Sequence, residues 1–186
     1  MEANKQYAVV STIGKDRIGI VDDLSDSILE MECNVEESRM AVLGGEFAII
    51  LLISGKPDYL DNLVAKLPKT LEEIGLRAEV KLTTAPRPDT ESRPYMLECV
   101  SLDTPGIVHS VSSLLRKHNI NVEAMETDTA SAPWTGAPLF ILRARVSIPS
   151  TESLSRIRDE IDDLASEQDL DITIKPVSGV TGELKT

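Results

Sequence analysis

A chain of 186 residues with 41% hydrophobic but only 3% aromatic content has material for one core or two small ones, built from aliphatic side chains. Its formal net charge of −12, with scattered Lys and Arg, repels phosphate backbones and argues against direct binding of nucleic acid. No apolar run approaches ~18 residues and the first twenty lack a signal-peptide pattern, so the sequence points to a cytoplasmic protein without a membrane span.

The first β-rich run is YAVVSTI (7–13), broken by GKDRIG. Ile20, Val21, Leu24, Ile28 and Met31 follow at helical spacing and predict a helix of about three turns beginning near residue 18. NVEESRMAVL (34–43) and EFAIILLIS (46–54) flank Gly44-Gly45, a pair suited to the positive φ angles of a tight hairpin. Leu60, Leu63, Val64, Leu67, Leu71 and Ile74 form a second amphipathic stripe, opened by Pro57-Asp58, with a kink expected near Pro68. LRAEVKL (76–82) then alternates as a strand. The order is β-α-β-β-α-β.

The second half repeats that order. PYMLECVSL (94–102) precedes a helix expected over 105–118, then INVEAMETDT (120–129), PLFILRARVSI (138–148), a helix carrying Leu154, Ile157, Ile161 and Leu164, and LDITI (170–174). The predicted division is a first domain over 1–84, a linker over 85–94 rich in proline and charge, a second domain over 95–176 and a tail over 177–186. Each module implies an α+β split-βαβ, ferredoxin-like sandwich, an antiparallel sheet with both helices on one face. The other face is left to be met by the partner module or by another subunit. Cys33 and Cys99 lie in apolar segments outside any CxxC or Cys/His cluster and read as buried, inert thiols.

The repetition extends to residues that carry chemistry. At an offset of 87, residues 14–37 match 101–124 at Asp16/Asp103, Gly19/Gly106, Ile20/Ile107, Val21/Val108, Ser25/Ser112, Asn34/Asn121, Val35/Val122 and Glu36/Glu123. A glycine between strand and helix lets the backbone turn sharply and approach a ligand closely, ahead of unpaired amides that favour an anion. Asn34 and Asn121 start the next strand, expected beside the first and so near the helix start, where an amide can read a carboxylate or an ammonium. Asp16 and Asp103 can hold a cationic amine or can serve as helix N-caps, with Pro105 at the first helical position. The asparagines, likewise, can bond only their own backbone.

Of the two loops, the second, with Thr104-Pro105, is the better-formed site; the first carries Arg17-Ile18 instead. His109 reads as an exposed histidine beside that loop, and His118 with Lys117 as a complement to the helix dipole. Trp134, in the longer hairpin connection SAPWTGA (131–137), is a lid, a partner contact or a side chain folded back on the sheet. No HExxH, GxSxG or GxxxxGK[ST] occurs, the sequence calls for no cofactor or metal, and it reads as a non-enzyme. A hydrolase on the same sandwich, of the acylphosphatase kind and using Arg17 and Asn34 at a phosphate, is the rival; a ligand-free dimerisation module is another.

DRIGIV (16–21) with NVEES (34–38), and DTPGIV (103–108) with NINVEA (119–124), resemble the tandem ACT-domain proteins, small-molecule and often amino-acid sensing modules. Two such modules without a catalytic domain are similar to the glycine cleavage system transcriptional repressor family. That resemblance implies a glycine-responsive regulator that contacts a LysR-type transcriptional activator and not DNA, working as a homo-oligomer. It also implies ligand contacts at Asp103, Pro105, Gly106 and Asn121, and at Asp16, Gly19 and Asn34, with sites where two modules abut.

Overall fold

The computed structural model describes residues 5–85, 91–132 and 136–177, so Trp134, half of the expected linker and most of the expected tail lie outside the described residues. The chain divides into two compact units, Met1–Arg87 and Pro88–Thr186. In the first, β1 (Gln6–Lys15), α1 (Ile20–Leu29), β2 (Asn34–Leu43), β3 (Glu46–Gly55), α2 (Pro57–Glu73) and β4 (Leu76–Thr83) follow one another. The strands form an antiparallel sheet in the order β2-β3-β1-β4.

Period-two alternation sends Ala8 and Val10 of β1 and Phe47, Ile49, Leu51 and Ile53 of β3 to the same side, where all are buried. Ile20, Leu24 and Ile28 of α1 and Leu60, Leu63, Leu67 and Leu71 of α2 join them in one core, so both helices cover a single face. Pro57 opens α2, where a missing N–H costs nothing, and the helix continues through Pro68 to Glu73. Gly44 (φ 61°) and Gly45 (φ 83°) make the two-residue turn that joins β2 to β3.

The second unit has β5 (Ser92–Leu102), α3 (Ile107–Lys117), β6 (Asn121–Ser131), β7 (Pro138–Pro149), α4 (Leu154–Gln168) and β8 (Asp171–Pro176), with sheet order β6-β7-β5-β8. Its separate core joins Leu97 and Cys99 of β5, Ile107, Val111 and Leu115 of α3, Leu142, Ala144 and Val146 of β7, and Ile157 and Ile161 of α4. Both cysteines are buried free thiols, and burial raises the pKa of each. No helix among the described residues is long and apolar enough to cross a membrane.

Sequence reading errs on two points here. α1 and α3 begin at Ile20 and Ile107, each two residues later than expected. More consequentially, β2 and β6 are edge strands that pair with β3 and β7, not with the first strand of their unit. The tight hairpin forces β2 against β3, and β3 is the strand that reaches β1.

Candidate functional site

Each unit repeats one loop, between β1 and α1 and between β5 and α3. Its first residue is pinned to the neighbouring hairpin: the Asp16 amide donates to the Gly45 carbonyl at 3.0 Å and the Asp103 amide to the Pro138 carbonyl at 3.1 Å. The loop then turns at Gly19 (φ 85°) or Gly106 (φ 103°), a left-handed conformation that a side chain disfavours. These glycines are the N-caps. Their carbonyls accept the first helical bonds, from Asp23 at 3.0 Å and Ser110 at 2.9 Å, and neither helix start has a side-chain cap.

The aspartates are therefore not helix caps. The cap position falls three residues after each of them, out of reach of the geometry by which a capping carboxylate satisfies first-turn amides. Pro105 correspondingly precedes the helix and does not occupy its first turn. Gly19 and Gly106 face open space, with nothing within 4 Å of where a Cβ would stand.

The two helix starts differ in charge and surroundings. α1 carries Asp22 and Asp23 in its first turn, whereas α3 has no acidic residue there. Arg17 turns its guanidinium to Asp23 at 2.5 Å and to the Ile74 carbonyl at 3.5 Å. Beside α3 a cleft of about 560 Å³ is lined by Thr104, Gly106, Ile107, Val108, His109, Ser112 and Phe140. An anion entering it meets the positive end of the helix dipole without a competing carboxylate on the first turn.

The asparagines stand elsewhere. Asn34 pairs in register with Ser54, and Ser54 with Tyr7 at the start of β1, while the loop leaves β1 after Lys15. Eight residues of strand separate those levels, roughly 26 Å. Asn121 is placed equivalently, across from Ser147, itself opposite Pro94, whereas the second loop follows Leu102. Within one unit, then, Gly19 and Asn34, or Gly106 and Asn121, are at opposite ends of the sheet. Arg17 and Asn34 are parted in the same way, so one unit does not assemble the acylphosphatase-like pair.

What the repeated Asn-Val-Glu builds is a β-bulge. The register slips between Val35 and Glu37 and again between Val122 and Ala124, leaving Glu36 and Glu123 as the extra residues. Glu36 accepts from Ser54 at 2.6 Å, from Lys5 at 2.6 Å and from Asn34 at 3.1 Å. Lys5 above all, then Ser54 and Asn34, bring its pKa down to about 2. Glu123 accepts from Ser147 and pairs with Arg145 at 2.9 Å. Sequence comparison at an offset of 87 finds the glutamates but misses the serines, because the longer second hairpin shifts Ser54 to Ser147, an offset of 93.

His109 is exposed and lines the cleft, with Nε2 3.5 Å from the Ser113 hydroxyl. His118 does more than complement a dipole. It is 3% exposed, with Nδ1 3.2 Å from Glu152 and Nε2 2.9 Å from Glu160. Lys117 and His118 hold the Glu160 carboxyl down to about 2. Among the described residues no group of three or more His, Cys, Asp or Glu is placed to hold a metal ion.

The ACT-domain family model matches residues 6–81, which is nearly the whole described first unit. A crystal structure of an unknown protein from Galdieria sulphuraria is 33% identical and superposes with a TM-score of 0.82, covering 94% of this chain and 99% of that one. The chain belongs to the ACT-domain family. It is a tandem ACT protein, two ferredoxin-like modules in one polypeptide. This tandem ACT protein is also 28% identical over 166 residues to the glycine cleavage system transcriptional repressor of Escherichia coli, across 89% of this chain and 87% of the relative. A second crystal structure, of a protein assigned as such a repressor, is 22% identical with a TM-score of 0.72 and shares the fold. These relatives support a regulatory role for the tandem ACT protein.

Proposed function

We propose that the chain is a non-catalytic cytoplasmic regulator that binds a small amino acid, glycine or one close to it, at the second loop. Ligand occupancy then alters its contact with a transcriptional activator of the LysR type. The observation that carries this reading is the uncapped start of α3: Gly106 holds the left-handed turn, no carboxylate stands on the first turn, and the cleft opens there. An α-carboxylate suits those amides, and Asp103, at the head of the same loop, is the group for the α-ammonium. Pro105 rigidifies the approach. The charge of −12 favours action through a protein partner over action on DNA.

The first loop offers the weaker version, with Asp16 and Gly19 in place but Asp22, Asp23 and the engaged Arg17 around the helix start. Asn34 and Asn121 stay outside either cradle within their own unit, and a ligand contact from them requires a second module or a second chain. The similarity to glycine cleavage system repressors supports the choice of glycine.

Calorimetric titration of the full chain with glycine, serine, alanine and the branched amino acids tests the reading. Binding of a small amino acid is expected, lost in Val108→Trp, which fills the cleft without disturbing the left-handed glycine. Gly106→Leu is expected to lose it as well, at some cost in stability from forcing a side chain to φ 103°. Silence from every amino acid, or binding that survives Val108→Trp in a folded protein, overturns the assignment.

A further inference from the structure

The sheet faces turned away from the helices differ in kind between the units. In the first, the register sets residues in rows across β2-β3-β1-β4. One row reads Glu37, Leu52, Val9, Lys81. The next reads Arg39, Ile50, Ser11, Glu79. Ile13 of β1 extends the apolar middle, and Ile13 and Ile50 are 42% and 49% exposed. Alternation fixes this orientation, because the intervening residues of β1 and β3 are the buried ones. The face is thus an apolar centre along β3 and β1, flanked by charges of opposite sign at the same level of the two outer strands.

The matching face of the second unit has charged pairs in its middle. Arg143 meets Glu98 there at 3.0 Å, and Arg145 meets Glu123 at 2.9 Å. Two ion pairs thus lie on that second face, whereas on the first face the charges stand on the outer strands alone and leave β3 and β1 apolar.

We infer that the outer sheet face of the first unit is a self-complementary interface on which a second copy of this chain docks face to face, about a two-fold axis parallel to the strands. Such a rotation lays β2 of one copy over β4 of the other and keeps each row at its own level. Glu37 then meets the partner's Lys81, and Arg39 meets the partner's Glu79, each contact occurring twice as an isologous interface requires. The central strands bring Val9, Ile13, Ile50 and Leu52 together as the dry middle.

A two-fold axis lying across the strands, midway between the two rows, instead puts β2 over β2 and β4 over β4 and sets Glu37 against the other copy's Arg39 and Lys81 against its Glu79. Only the parallel axis pairs Glu37 with Lys81, so a charge exchange between those two positions restores that dimer and no other. The existing contact of Arg39 with Glu37, at 2.9 Å, is between exposed side chains and contributes little, so it yields readily to a partner. The inference is independent of the ligand reading, since none of these residues belongs to the second loop.

Sedimentation of the full chain over a wide concentration range is the test. The wild type is expected to dimerise, Glu37→Lys to weaken the dimer by about tenfold or more, and Glu37→Lys combined with Lys81→Glu to restore it. Both positions are exposed, and circular dichroism checks that the variants fold. A monomeric wild type, a dimer indifferent to Glu37→Lys or a failed restoration in folded protein each overturns the inference.

Discussion

Two carboxylates carry the strongest electrostatic perturbations among the described residues, and each secures a structural junction. Glu36 ties the bulge of β2 to Ser54 of β3, and Glu160 ties α4 to Lys117 and His118 at the end of α3. Both pKa values lie near 2, below the ordinary carboxylate value of 4.5. A carboxyl depressed in the folded state contributes stability that is complete above the unfolded value and disappears as pH falls through the folded one. Urea melts are therefore expected to show stability falling from about pH 5 towards about pH 2. The double variant Glu36→Gln, Glu160→Gln starts less stable at neutral pH and loses less across that window. Parallel pH profiles for variant and wild type would remove these two groups from the account. Asn34 belongs to this story: as one of three donors to Glu36, its loss is expected to erode acid resistance and to leave affinity for an amino acid unchanged.

The elements were largely legible because each obeys a single period. The stripe Leu60, Leu63, Leu67, Leu71 predicts α2, and all four side chains are fully buried. Gly44-Gly45 predicts a hairpin and takes two positive φ angles. Sheet order was not legible, because period two says which face a side chain takes and nothing about which strand lies alongside. Asn34 was misplaced for want of strand direction: β2 is antiparallel to β3 and β3 to β1, so β2 runs parallel to β1 and begins level with Tyr7, at the end of the sheet away from the helix start. The bulge was hidden for a related reason, since its glutamate and serine are matched at different offsets in the two halves. Packing at this scale is testable: Leu63→Ala is expected to cost about 2–5 kcal/mol in chemical denaturation. Val42→Ala, 45% exposed on the edge strand, should change stability by under about 0.5 kcal/mol.

At the scale of the whole chain the two units share a plan and diverge in chemistry. The first keeps an apolar outer face with flanking charges and loads its helix start with Asp22 and Asp23. The second closes its outer face with ion pairs and leaves the start of α3 free of acid beside a cleft. If both proposals hold, duplication followed by divergence has given association to the first unit and recognition to the second. The expected stoichiometry of amino-acid binding is accordingly one ligand per chain, although the glycine-hinged loop occurs twice. Calorimetry of Gly19→Leu and Gly106→Leu separates the cases: the first variant should bind as the wild type does and the second should not. Two ligands per chain, or equal losses in the two variants, would mean that the acidic first turn of α1 is no barrier to an α-carboxylate. The division of labour between the units would then have to be abandoned, while the cradle geometry itself would stand in both.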